Sequence, residues 1–255
     1  MTQKETIIDY LKKGIRFDGR KLNEYRDIKL DVGITKTAEG SAKIQIGETE
    51  LIAGIKLSVG TPYSDSPENG TLMVDAELTP LASPNFESGP PSIKAIELAR
   101  VTDRAIRESE SIDTKKLCIE KGEKVWMVSV DLAPINAAGN LFDASALASI
   151  VALKNTKMPK FDGEKVDYKE KTKKGLPLND LPISVTVLKI GDYLLVDPLP
   201  EEEENADARL TVASLTDGTI CAMQKGGDEP ITTDEVNKMV DLALKSAKDL
   251  RKLVK

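Results

Sequence analysis

The sequence predicts an α+β fold built from two related halves, each a β-sheet followed by helix. Three observations carry this. Short runs with period-2 alternation are followed by helical runs, and the plan occurs twice along the chain. Two pairs of apolar runs flank Gly191-Asp192 and Asp217-Gly218, both hairpin-turn dipeptides. The last segment is an amphipathic helix with its own start signal. The halves fall at residues 1–160 and 183–255, joined by a polar linker or projecting hairpin at 161–182. Identity between the halves is weak, so this is no short-period repeat.

Each element has a local cause. Residues 2–13 place Ile7, Ile8 and Leu11 on one side of a short helix. A glycine-punctuated basic turn, Gly14 to Arg20, follows. Ile28, Leu30 and Val32 alternate with polar neighbours, as do Ala42, Ile44 and Ile46. Gly47-Glu48 turns into a longer strand, Glu50 to Val59. The stretch Gly60 to Gly70 reads as a surface loop, Leu72 to Leu78 as a strand, and Pro80 to Pro91 as a connector. Ser92 caps a helix reaching Ser109. A strand runs from Lys124 to Leu132, and Ala- and Leu-rich Leu141 to Lys154 forms a largely buried helix. Residues 155–180 are polar. Lys169, Lys171, Lys173 and Lys174 there read as a solvated loop or as a binding surface. Strands are expected at 183–190, 193–197, 209–216 and 219–225. From Thr233 to Val254, Val236, Met239, Val240, Ala243, Ala247 and Leu250 recur at helical spacing. Thr232 with Glu235 makes a capping box at the start.

Composition excludes several chemistries. The 255 residues carry 36 Lys and Arg against 42 Asp and Glu, a formal charge of −6, and no histidine. Ser-His-Asp and Cys-His nucleophile systems, imidazole bases and His-containing zinc sites are therefore out. Cys118 and Cys221 are far apart and form no CxxC pair, which suits a reducing compartment. The polar start lacks a signal-peptide core, and no window approaches the length of a membrane span. A cytoplasmic protein without membrane contact is expected.

Four places could hold chemistry. Arg100, Arg104 and Arg107 lie within about a 60° stripe of the helix after Ser92 and would suit successive phosphates of a single strand. The alternative is local pairing, Asp103 with Arg107 and Glu97 with Arg100. The acidic run Asp197 to Asp207 could hold Mg²⁺, supply a general acid, or be a solvated loop. The strand-to-helix junction at Gly139-Asn140-Leu141-Phe142 could bind phosphate through backbone N–H groups. Leu141 and Phe142 occupy its mouth, however, and are expected to block it. Trp126, the only tryptophan, is expected in the core.

Taken together these segments resemble the RNase PH superfamily. Arg16-Phe17-Asp18-Gly19-Arg20 with Glu24 and Arg26 is similar to its opening motif. Gly40-Ser41-Ala42, Gly47-Glu48-Thr49, Gly70 to Phe86, Gly89-Pro90-Pro91, Glu97 to Ser109, Asn140 to Ala144 and Asp197-Pro198 to Val212 continue the match in order. The resemblance implies the RNase PH-like fold (ribosomal protein S5 domain 2-like). Within the superfamily the chain looks most like the catalytically silent subunit of the archaeal exosome.

Departures from the active pattern carry that last point. Active members have Gly, Ser or Thr, and Arg where this chain has Asn140, Leu141 and Phe142. They carry arginines where it has Pro90, Pro91 and Ser92, with Lys94 nearby. Of their two acidic-segment aspartates Asp197 is kept, Glu203 replaces the second, and Arg209 stands where a further acid is usual. The resemblance thus implies no catalytic residue, metal or cofactor of its own. Mg²⁺ and inorganic phosphate would be used by a homologous catalytic subunit, three heterodimers forming a ring. It implies single-stranded RNA bound by Arg100, Arg104 and, more weakly, Arg107, with S1/KH-type cap subunits as further partners and no DNA. The alternative is an autonomous phosphate-dependent 3′–5′ exoribonuclease using Asp197 and Glu203.

Overall fold

The computed structural model describes residues 2–254; Met1 and Lys255, the outer ends of the two expected halves, lie outside it. The first sheet contains β1 (Ile28–Val32), β2 (Gly40–Ile46), β3 (Thr49–Gly60), β4 (Thr71–Ala76), β5 (Cys118–Glu120) and β6 (Lys124–Asn136). Its order is β1-β2-β3-β6-β4, with β5 paired to β6; β4 runs parallel to β6 and the other pairs are antiparallel. β3 shows why the alternation worked: Leu51, Ala53, Ile55 and Leu57 are fully buried, and their neighbours are only partly so.

Two helices cover this sheet. α2 (Ile93–Glu108) starts where Ser92 Oγ accepts the Ala95 N–H at 3.2 Å, and it packs on β4. α3 (Leu141–Lys154) packs on β2 and β3 and, on its other side, on a strand of the second sheet. Lying between two sheets, it is buried nearly all round, which is what its Ala- and Leu-rich sequence anticipates. Trp126 is in the core, edge-on to Phe161 at 5.7 Å between ring centroids.

The second sheet has β9 (Ile183–Ile190), β10 (Tyr193–Val196), β11 (Ala208–Ser214) and β12 (Ile220–Gly226), all antiparallel, in the order β10-β9-β11-β12. α5 (Thr233–Arg251) covers β9 and β11 through Met239, Ala243, Ala247 and Leu250, with the Thr232–Glu235 capping box in place. One continuous apolar core joins the two sheets through α3. The N-terminal helix α1 (Gln3–Leu11) lies by sequence in the first half. It buries Ile7 and Leu11 against Leu188, Ile190 and Leu195 of the second sheet.

Two segments differ from expectation. Residues 155–180 carry a separate two-stranded antiparallel hairpin, β7 (Lys157–Phe161) with β8 (Val166–Gly175). Lys171 there bonds the Ala38 carbonyl, while Lys169, Lys173 and Lys174 are exposed. The acidic run is not simply a solvated loop: Asp197 and Glu202 are fully buried and Pro200–Glu204 form the short helix α4. Cys118 and Cys221 are both free thiols.

Candidate functional site

The site forms where three distant segments converge: the basic turn after α1, the start of α3, and the acidic segment after β10. Arg16 is fully buried. Its Nε donates to Glu202 Oε1 at 2.8 Å, its Nη2 forms an ion pair with the other oxygen, and its guanidinium also reaches the carbonyls of Val196 and Asp197 at 2.9 and 2.7 Å. Each nitrogen of this buried guanidinium therefore has an acceptor, as burial of a charge requires.

Asp197 is the hub. Arg20 Nη1 donates to its Oδ2 at 2.8 Å, Arg26 Nη2 to its Oδ1 at 2.7 Å, and Asn140 Nδ2 to the same Oδ1 at 2.9 Å. The Arg26 backbone N–H and Nε add a fourth and a fifth bond, both to Oδ2, at 2.8 and 2.9 Å. Burial works to raise this carboxyl, but the Arg26 bonds and charge, with Asn140, outweigh it and hold the pKa below 3.8. Both oxygens are saturated by donors. A divalent cation would have to displace these donors from Asp197.

The start of α3 is fixed by backbone geometry. Gly139 has φ +86°, and a Cβ there would fall 2.3 Å from the Pro198 carbonyl oxygen. Asn140 follows in the left-handed region at φ 57°, which asparagine tolerates better than most residues. Its side chain does not cap the helix but ties Asp197 to Asp143, whose Oδ2 also accepts the Tyr25 hydroxyl at 2.6 Å. The Asn140 N–H instead donates to Glu203 Oε1 at 2.8 Å. A carboxylate thus sits at a helix N-terminus, the position that favours an anion.

Burial pushes the Glu203 carboxyl from 4.5 up to about 7, against the Asn140 bond and the charges of Arg209, Arg26 and Lys94. Burial likewise raises Asp143 from 3.8 to about 7, against bonds from Tyr25, Thr186 and Asn140. Arg209 lies over the Phe142 ring, 4.7 Å from its centroid, and is ion-paired with Glu97. Gly226 makes room for it: a Cβ there would approach Arg209 Cζ to 2.4 Å.

The expectation that Leu141 and Phe142 block the junction is corrected. A cleft of about 360 Å³ opens beside them, lined among others by Phe86, Lys94, Leu141, Phe142, Glu203 and Arg209. Ser83, Asn85 and Phe86 of the connector and Lys94 and Glu97 of α2 line the same cleft, so the two apolar side chains form part of its wall. Beside the cleft lie the Phe142 ring, an Arg209 guanidinium paired with Glu97, and the buried Glu203 carboxyl.

α2 sorts the three arginines. Arg107 is ion-paired with Asp103, 2.9 Å from Nε to Oδ2, and bonds the Leu72 carbonyl at 3.0 Å. Arg104 is exposed and donates to Gln224 Oε1 on β12 at 3.1 Å. Arg100 is exposed. The anticipated Glu97–Arg100 pair does not form, because Glu97 turns to Arg209. Sequence reasoning missed the buried Arg16–Glu202 pair and the Tyr25–Asp143 bond. The only signal for either was a charged or polar residue inside an otherwise ordinary turn or helix.

Residues 24–159 match the 3′ exoribonuclease family, domain 1, and residues 180–246 match domain 2 of the same family. The chain is 47% identical over 257 residues to the Exosome complex component Rrp42 of Methanopyrus kandleri, covering 99% of this chain and 96% of that protein. It is 44% identical over 250 residues to the protein of that name from Methanothermobacter thermautotrophicus, covering 97% and 92%. Among solved structures, a chain of the Archaeoglobus fulgidus exosome with RNA bound to the active site superposes with a TM-score of 0.92 at 43% identity, covering 99% and 98%. Rice Rrp46 shares the fold, with a TM-score of 0.69 at 16% identity over 94% and 98% of the two chains.

Proposed function

Because this chain belongs to the 3′ exoribonuclease family, we propose that it is a non-catalytic, RNA-contacting subunit of an archaeal exosome ring. In that ring it alternates with a homologous catalytic subunit, three heterodimers degrading RNA from its 3′ end with phosphate as nucleophile. High-coverage relatives named Exosome complex component Rrp42 and the close superposition on archaeal exosome chains support the ring role.

One observation carries the silent reading: the Glu203 carboxylate accepts the Asn140 N–H at the start of α3. Phosphorolysis needs a phosphate held beside the scissile bond, and its rate rests on positioning and charge stabilisation. Two like unit charges roughly 4 Å apart repel by about 4 kcal/mol at an effective dielectric near 20. With its carboxyl raised to about 7, Glu203 opposes a phosphate dianion by charge when ionised, and in either form it occupies the Asn140 N–H. The nearby Arg209 offsets little of this, since it is already paired with Glu97. Mg²⁺ and phosphate belong, on this reading, to the catalytic partner.

RNA contact is assigned to Arg100 and Arg104, whose exposed side chains stand on successive turns of α2. Arg107, paired with Asp103, is the weaker contributor. Binding of this kind goes to backbone phosphates and tolerates any base sequence. S1/KH-type cap subunits and a cytoplasmic setting complete the proposal. The rival, an autonomous exoribonuclease using Asp197 and Glu203, draws on the raised pKa of Glu203, which suits a general acid. Saturation of Asp197 by Arg20, Arg26 and Asn140 weighs against it.

The deciding test incubates the pure chain with phosphate, Mg²⁺ and single-stranded RNA. No nucleoside diphosphate is expected until a catalytic homologue is added; release by the chain alone at ring-like rates would sink the silent reading.

A further inference from the structure

The hairpin β7–β8 lies outside the site and plays no part in its network. It carries seven lysines against four carboxylates between residues 157 and 175, in a protein whose overall charge is negative. Its ladder is irregular. Lys157 pairs with Gly175, Pro159 with Lys171, and Lys160 with Asp167, so residues 172–174 face Met158 alone and 168–170 have no opposite residues. β8 is therefore bulged twice, and bulges re-aim side chains and leave backbone groups unpaired.

The bulged residues include Tyr168, Lys169, Lys173 and Lys174, all exposed. The carboxylates do little to neutralise them. Glu170 pairs with Lys160, Asp162 accepts the Glu164 and Lys165 N–H groups at 2.8 and 2.7 Å, and Asp167 accepts the Lys169 N–H at 2.9 Å. The hairpin is also held against the first sheet. Lys171 bonds the Ala38 carbonyl, and Lys56 of β3 lies under one face of Tyr168, 4.7 Å from the ring centroid. Thr172 Oγ1 donates to the Met158 carbonyl at 2.8 Å and fixes the second bulge.

We infer that the bulged face of β8 is a second contact for single-stranded RNA, with Lys169, Lys173 and Lys174 on phosphates and Tyr168 stacking a base. Clustered cations and an exposed aromatic ring are what an unstacked strand can use for its phosphates and bases. An acidic protein segment would use the lysines but has no need of the ring, so RNA is the favoured occupant. The inference rests on the RNA-contacting role proposed above and extends it to a surface separate from α2.

The test uses the assembled ring with its catalytic homologue and a long oligoadenylate, followed by fluorescence anisotropy across a salt series. K169E/K173E/K174E is expected to lower the log-affinity against log-salt slope by about two, at about 0.7 per lost single-strand contact. Tyr168→Ala is expected to weaken binding at least about fivefold, the low end of a lost stack. Unchanged affinity and slope in both variants overturns the inference. So does loss of binding to an acidic peptide with RNA binding intact, which would make the face a protein-docking surface. R100A/R104A runs in parallel. If it has no effect while the hairpin variants do, the α2 contact fails and the hairpin contact stands; the converse sinks the hairpin alone. Because charge reversal could perturb folding, the unmodified ring is also photocrosslinked to 4-thiouridine RNA. Crosslinks are expected in the peptide spanning residues 166–175, and none there rejects the idea without recourse to any variant.

Discussion

At Glu203 a single buried carboxyl accepts the Asn140 N–H at the start of α3. Its pKa of about 7 against an ordinary 4.5 means the folded chain binds a proton there that the unfolded chain has released. Stability should therefore fall as pH rises from about 4.5 to about 7, by at most about 3 kcal/mol for this group. Asp143, raised from 3.8 to about 7, acts in the same direction. Asp197, whose carboxyl is lowered, acts in the opposite direction and at lower pH, its stabilisation being lost as pH falls. Glu203→Gln keeps an acceptor for the Asn140 N–H and loses the charge. Urea melts between pH 5 and pH 8 should show a smaller decline than wild type, with the variant the more stable of the two at pH 8. The buried pair Arg16–Glu202 makes a second prediction. Arg16→Met strands a buried carboxylate and should cost about 3–5 kcal/mol, and R16M/E202L should recover much of it. A double-mutant cycle by chemical denaturation measures both.

The elements owe their positions to a few close approaches. α3 begins where Gly139 lets its backbone pass Pro198, and that passage brings Asn140 within reach of Asp197 and Glu203. Gly139→Ala brings both a clash at 2.3 Å and a strained φ of +86°, so a loss of about 1–3 kcal/mol is expected from melts. The Glu203 bond should be lost with it, so the pH dependence of stability between about 5 and 7 should change too. Strand and helix identities were legible at this scale. Alternation in β3, Ser92 before α2 and the Thr232–Glu235 box before α5 each have local causes that the structure reproduces. The short helix α4 and the bulges of β8 were not legible. One is set by burial of Glu202 against Arg16, the other by a ladder whose strands differ in length.

For the whole molecule, the consequence lies in assembly. If Arg100 and Arg104 touch RNA phosphates in the ring, R100A/R104A should weaken binding to all sequences alike. The salt slope should then fall by about 1.4, at about 0.7 per contact. Filter binding with adenine-rich and uracil-rich strands checks both statements. Arg107→Ala should change RNA binding least, because Asp103 and the Leu72 carbonyl already hold that guanidinium. The formal charge of −6 does not oppose this contact, since a local arginine ridge outweighs the molecular total at short range.

Sequence by itself determined the α+β class, most of the strands and helices, and the core place of Trp126. These follow from periodicity, capping and residue type, all of which act over a few neighbouring positions. Only the tertiary structure decided that Glu97 turns from Arg100 to Arg209 and that Glu203 takes the Asn140 N–H. The same is true of α1, which crosses to the second sheet, and of the cleft that stays open beside Leu141 and Phe142. Each of these depends on which segments meet across long stretches of chain. A buried charge must be matched by whatever donor or acceptor the packing brings near it, and that partner has no fixed spacing in the sequence.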